Sequence, residues 1–200
     1  MKQHLHDLDT LTSNYELFKR MCSKLGDRSE YIENMIDHLE ERLFIAPASS
    51  RLSYHCAHPG GLVEHSLNVL RNLKKLIKLY NVDITQESMI IVSLFHDLGK
   101  VGDLDNSYYL DQDSDWHREK LGQMYKINEK IQSMPNAERG LWLMQHFGVR
   151  LSLDEWVAIR INDGQGVDEN KPYFGNEPTL AMLLQHADQM ATKQEKEKYM

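Results

Sequence analysis

The sequence predicts an all-α fold, a helical bundle in a single domain. Apolar residues recur at three- and four-residue spacing along most of the chain, and helix-start and helix-stop residues punctuate those runs. No stretch alternates apolar with polar residues for long enough to make a useful strand. The 200 residues, 41% of them hydrophobic, suffice for one sizeable core.

"TLTSNYELFKRMCSKL" and "SEYIENMIDHLEERLFIA" carry helical spacing, and Ser29 with its downstream acids reads as a helix start. "PASSRLSYHCAHPGG" reads as a loop with polar turn chemistry. "GLVEHSLNVLRNLKKLIKLY" is the clearest amphipathic helix, with Leu62, Ser66, Val69, Leu73, Leu76 and Tyr80 on one face. "TQESMIIVSLFHDLG" should be a central helix, capped by Thr85 and almost continuously apolar within. An acidic loop is expected from Val101 to Trp116, followed by helices at "DWHREKLGQMYKINEKI", "NAERGLWLMQHF" and "SLDEWVAIRIN". After the Gly/Pro-rich "DGQGVDENKPYFGNEP" comes a last helix, "TLAMLLQHADQMATKQEKEKY", whose charged end is expected to fray. The expected layout is helices packing on the core over residues 1–46, the main domain over 47–193 and a frayed tail over 194–200.

A net charge of −7 lacks the basic footprint that duplex nucleic acid demands, while leaving room for a small anionic substrate. The two cysteines, Cys22 and Cys56, form no CxxC pair and no disulfide framework, which suits a reducing cytoplasm. With no apolar leader-like segment and no long apolar run, a soluble cytoplasmic protein without a membrane partner is expected.

The chemistry concentrates in four side chains on inward parts of helices. His65 lies three residues after Leu62 and four before Val69. A single imidazole there is more often a satisfied core histidine than a ligand. Asp188 follows Leu183, Leu184 and Ala187 on an apolar helix, where an unpartnered carboxylate would cost several kcal/mol. His96 and Asp97 end another apolar helix, where a simple C-terminal cap closed by Gly99 would also account for them. Buried imidazoles beside buried carboxylates on three helices need a common compensating charge, and a divalent cation supplies one. Adjacent residues lie about 100° apart around a helix axis, so the dyad can turn toward one ion where the helix unwinds into "LGK".

The order His65, His96-Asp97, Asp188 resembles the H…HD…D signature of the HD-domain metal-dependent phosphohydrolases. "APASSRLSYHCAHPGGLVEHSLNVL", "LFHDLGK" and "ENKPYFGNEPTLAMLLQHADQMATK" resemble segments of the HD part of bacterial 3′–5′ exoribonucleases, over roughly Pro47 to Lys193. The resemblance implies that His65, His96, Asp97 and Asp188 hold one divalent ion: Mn, Mg, Fe, Co, Ni or Zn. It implies that Lys100 contacts phosphate and that His146 serves a second metal or the substrate. Phe147 stands where relatives often show a second histidine, and Cys56 and His58 where His and Tyr are common. These departures weigh against a second ion and leave the first untouched.

Weaker candidates surround this set. His55 and His58 precede the His65 helix, and Gly60-Gly61 should let the backbone pass close to the site, so a role in binding substrate or supporting the ligands is expected as readily as that of exposed loop histidines. Arg51 is a candidate phosphate clamp, with a solvated arginine equally expected. His117 is a candidate second-site or substrate residue on what reads as a surface helix. Asp163 in "INDGQG" reads as an Asx-turn residue rather than a ligand. The Arg71, Lys74, Lys75, Lys78 stripe reads as a solvated face. "DQDSDW" imitates an EF-hand start but puts Trp116 and Gly122 where Gly and Glu are required.

The function expected from the resemblance is metal-dependent hydrolysis of phosphoesters or phosphoanhydrides, with Asp97, Lys100 and His146 catalytic. The expected substrate is a nucleotide or short oligonucleotide, because no strand-rich segment supplies an oligonucleotide-binding domain. Alternatives are a 3′–5′ exonuclease on RNA or single-stranded DNA, an HD-type di-iron oxygenase, and a non-catalytic nucleotide-binding module. A homo-oligomer remains open.

Overall fold

The computed structural model describes residues 8–199; residues 1–7 of the expected N-terminal segment and residue 200 of the expected tail lie outside the described residues. The all-α expectation holds, as a helical bundle with one small two-stranded sheet among the described residues.

Helices α1 (Leu8–Cys22) and α2 (Ser29–Ile45) are joined through a 3-10 turn, Gly26–Arg28. They bury Phe18, Ile32, Met35, Leu39 and Leu43, and the Phe18 ring meets Phe95 edge-on at 5.6 Å. Ser29 opens α2 but is not its cap, for its hydroxyl donates to the Cys22 carbonyl.

Helix α3 (Gly61–Tyr80) and helix α8 (Thr179–Tyr199) form the central pair. Their polar contacts run in opposite directions: Glu64 meets Lys198, Asn68 meets Glu195, and Asn72 meets Ala187 and Gln194. The expected apolar stripe of α3 is buried through Leu73, whereas Tyr80 is 63% exposed. Arg71, Lys74, Lys75 and Lys78 all face solvent, as a charged helix face should.

Helix α4 (Gln86–Phe95) packs against α3. Its start is fixed by Thr85, whose hydroxyl accepts the Ser88 amide as an N-cap. It ends at His96, after which Asp97 leaves helical geometry (φ −106°, ψ 12°) and a 3-10 turn, Leu98–Lys100, follows. Helix α6 (Asn136–His146) lies against that turn. Buried Arg139 donates to the Gly99 carbonyl at 3.2 Å and to the Gln132 and Met134 carbonyls, tying the turn to the loop before α6. Helix α7 (Leu153–Arg160) begins with a Ser152–Glu155 capping box and packs on α4 and α8.

The segment expected as acidic loop and then a long helix folds differently. Strands β1 (Tyr109–Asp111) and β2 (Tyr125–Ile127) pair antiparallel around a short helix, α5 (Asp115–Leu121). Gly122 ends α5 in the left-handed conformation (φ 59°) that only glycine adopts cheaply. The last helix also departs from expectation. Its charged end does not fray at residue 194, because α8 continues through Tyr199 with Glu195 buried inside the bundle.

The site rests on the close approach of the 3-10 turn to α6: a Cβ on Gly99 would lie 2.0 Å from the Asn136 carbonyl oxygen. Gly99→Ala should therefore destabilise the fold by about 1–3 kcal/mol through forced backbone movement. Gly166→Ala, with nothing within 4 Å of the added carbon, should stay within about 0.5 kcal/mol of the parent. Urea denaturation of the two variants checks both values.

Candidate metal centre

Three helix segments deliver one cluster. α3 contributes His65, the end of α4 contributes His96 and Asp97, and α8 contributes Asp188. His65 Nε2 lies 3.0 Å from Asp188 Oδ1 and 3.9 Å from Asp97 Oδ2. His96 Nε2 lies 3.6 Å from Asp97 Oδ2. Donor atoms of His65, His96 and Asp188 all fall within 4.8 Å of one another. His65 and His96 are buried, Asp97 nearly so, and the Asp188 side chain is 25% exposed, so it marks the open side.

The rings are oriented from behind. His65 Nδ1–H donates to Glu195 Oε2 at 2.9 Å, and His96 Nδ1–H donates to the Ser93 carbonyl at 3.0 Å. Carboxylates and carbonyls only accept, so in each neutral ring the lone pair belongs to Nε2 and faces the cluster. Neither Nε2 makes a hydrogen bond: at His65 the contact with Asp188 is close but off-line, and at His96 the gap is too long. The two buried Nε2 atoms thus converge on two carboxylates: Lys100 partners Asp97, and a proton on His65 Nε2 or a metal cation in its place partners Asp188. His65, His96 and Asp188 make a nitrogen–oxygen donor set that could hold a divalent transition metal or Mg, with Asp97 alongside.

Glu195 is the functional residue that the sequence reading missed. It also accepts from Asn68 Nδ2 at 2.7 Å, and it stands seven residues after Asp188, so both carboxylates lie on nearly the same face of α8. That heptad spacing was the available signal. Tyr109 was missed as well: its hydroxyl comes within electrostatic reach of Lys100 and Asp97, and burial pushes its pKa up to about 12. No sequence signal marked it, since the hairpin that carries it was read as loop and helix.

The charges are strongly coupled. Burial alone would lower the His65 pKa, but the Asp188 and Glu195 carboxylates outweigh it and raise it to about 10. Burial would raise Asp97, yet Lys100 first, then His96 and His65, hold its carboxyl well below the usual range. The Lys100 ammonium touches Asp97 Oδ2 at 2.6 Å, and that contact keeps it charged despite burial. Asp188 is likewise held low, its burial overcome by His65.

Of the remaining predicted residues, His55 joins the cluster. Its ring stacks 4.5 Å from that of His65, and burial, then His65 and Lys100, lower its pKa to about 4, so it is neutral at pH 7. Asp163 is exposed as a residue, and partial burial of its carboxyl, then the Asp97 charge, push its pKa up. With Gln185, His186 and Gln189 it lines a groove of ≈ 380 Å³ between its loop and α8.

The other candidates are not brought to the cluster. His146 is exposed at the far end of α6 from Gly99, with its ring against Trp142 and Phe147. A helix of this length separates its ends by about 15 Å, and no contact joins His146 to the cluster among the described residues. His117 is engaged with its own helix cap, Ser114 Oγ, at 2.7 Å. His58 turns toward Glu64, at 3.5 Å. Arg51 pairs through its backbone with Gln123, and no ion pair of its guanidinium is seen among the described residues.

Comparison of the chain with protein-family models, with characterised proteins and with solved structures finds no match. The site therefore has to be read from its own geometry.

Without a metal, a proton on His65 is the positive species between Nε2 and Asp188. It stabilises the fold fully below pH 6.5, and that contribution is lost as the pH rises through about 10. A cation must displace this proton, so Mn²⁺ affinity should rise about tenfold per pH unit below that value. Calorimetric titration in buffers of different ionisation enthalpy should show close to one proton released per ion. Glu195→Ala should weaken the same binding by about 10–100-fold while leaving all four expected ligands in place.

Proposed function

We propose that this protein is a metal-dependent phosphohydrolase acting on nucleotides or short oligonucleotides. The observation that carries this reading is the convergence of His65 Nε2 and His96 Nε2 on Asp188 and Asp97, with the Lys100 ammonium alongside. The order of these residues, which resembles the HD signature, supports it.

His65, His96, Asp97 and Asp188 would hold the ion. A divalent ion bound there supplies Lewis acidity toward a phosphoryl oxygen and a lowered pKa for bound water. Asp97 accepts one of the three Lys100 protons, leaving two ammonium hydrogens to neutralise non-bridging phosphoryl oxygens. His55, neutral and beside His65, offers a hydrogen bond without adding charge. Glu195 keeps the His65 proton on Nδ1 and the lone pair inward. The groove with Gln185 and Gln189 supplies amide donors and acceptors of the kind that read a nucleobase edge.

Charge favours a small substrate. Acidic residues outnumber basic ones 30 to 23, and the basic stripe of α3 lies on the solvent face, turned away from buried His65. A long polyanion needs a track of cations and binds with steep salt dependence. Lys100 alone suits a nucleotide's phosphate better.

Purified protein assayed with Mn, Mg, Co or Ni should release phosphate or pyrophosphate from nucleoside phosphates, or open cyclic ones, with shallow salt dependence. Fast, salt-sensitive trimming of a 5′-labelled 20-mer RNA or single-stranded DNA, with inert mononucleotides, would overturn the substrate choice. Lys100→Ala should keep the metal and lose about 10²–10³ in kcat, and His146→Ala should leave turnover unchanged. Metal content and turnover measured on the same samples separate the two effects.

A further inference from the structure

Just outside the His65 cluster lies a second convergence of donor atoms that the proposed reaction does not use. Cys56, His58 and Glu64 each present an atom within 4.8 Å of the other two. The set joins a thiol, an imidazole and a carboxylate from a seal of loop and helix, with Cys56 1% and Glu64 8% exposed.

The backbone is shaped around the cysteine. Cys56 adopts φ 45°, a left-handed conformation that a residue with a Cβ rarely takes. Its carbonyl accepts the Ala48 amide at 3.1 Å and abuts the start of α3 so closely that a Cβ on Gly61 would lie 2.1 Å from it. The loop is thus held against the start of α3, and from it the Cys56 thiol hydrogen-bonds the Glu195 carboxylate. His58 Nδ1 donates to the Pro59 carbonyl at 3.0 Å, which puts the lone pair of the neutral ring on Nε2. That nitrogen lies 3.5 Å from Glu64 Oε2. The other Glu64 oxygen accepts from Lys198 at 3.1 Å, so the carboxylate is steadied from the α8 side.

We propose that Cys56, His58 and Glu64 form a second cation site, of zinc type, which shares no ligand with the His65 centre but adjoins it through the Cys56 thiol, hydrogen-bonded to Glu195 in the ion-free protein. A thiolate, an imidazole nitrogen and a carboxylate oxygen are the three ligand classes of protein zinc sites, and three protein ligands leave a fourth position for water. The hard oxygen-only preference of Mg and Ca disfavours those ions here. Glu64 and His65 are neighbours on α3 and therefore face directions about 100° apart, so the two centres do not share a ligand. Binding releases the thiol proton to solvent and ties the loop that carries His55 to α3. The role is that of a clamp: the ion would hold His55 over His65.

The sulfur gives the test its own signal. Chelator-treated, full-length protein is titrated with Co²⁺, and near-ultraviolet thiolate-to-cobalt absorption is recorded. The band should reach full height by two equivalents in the parent protein, whose His65 centre also takes cobalt, and by one equivalent in His96→Ala, whose His65 centre is disabled and contains no sulfur. Cys22→Ser should keep it and Cys56→Ser should lose it. Should Cys56→Ser fail to fold, Glu64→Gln and His58→Gln serve instead, each lowering the cobalt affinity of the band at least tenfold. Absence of the band in the parent, its survival in Cys56→Ser, or unchanged affinity in both Glu64→Gln and His58→Gln would overturn the proposal. Failure of the phosphohydrolase reading would leave all of these outcomes as they are.

Discussion

A wholly buried imidazole gripped at both nitrogens by carboxylates of a single helix sets the terms for the rest of this molecule. Asp188 stands at His65 Nε2 and Glu195 at Nδ1, and both come from α8. Burying an ionised group without a partner costs several kcal/mol, so α3 and α8 are stable only in the alignment that delivers both carboxylates to the same ring. Asn68 and Asn72 on α3 repeat that alignment further along the pair. The dyad then completes the centre because α4 packs on α3 and unwinds at Asp97.

The charges around the centre have an arithmetic of their own. Three carboxylates, Asp97, Asp188 and Glu195, face Lys100 and the protonated His65. The ion-free cluster is therefore one positive charge short. Replacing the proton by a divalent cation gives three positive charges against three negative, with the nitrogen lone pairs satisfied as well. Among low-dielectric surroundings such balance decides which species resides there. Asp163 at the rim adds a negative field on the open side, consistent with a raised carboxyl pKa, and leaves Lys100 as the cation nearest an incoming anion.

Much of this was written in the sequence. The amphipathic period of α3, the Thr85 cap, and the placement of His65, His96, Asp97 and Asp188 on inward faces were legible because each is a local pattern. Residues whose role depends on tertiary pairing were not. Tyr109 reaches Lys100 only through a hairpin whose strands span three residues each, too short to show alternation. Glu195 sits in a run of charged residues that looks like a solvated end, and it is buried only because His65 needs an acceptor. His146 is the opposite case. Its position in the order of residues resembled that of a ligand, but α6 lays its first turn, not its last, against the dyad.

The grip on His65 spans 130 residues of chain, from the start of α3 to the last turns of α8. Closing so long a loop costs entropy that only the assembled core can offset, and contacts of this range form late. During synthesis His65 leaves the ribosome long before either of its carboxylates exists. Until α8 docks, the half-built pocket has a histidine of undefined tautomer and a dyad without a third wall. The unfinished chain would thus be a poor chelator, and an ion taken up at this cluster would report that folding is complete.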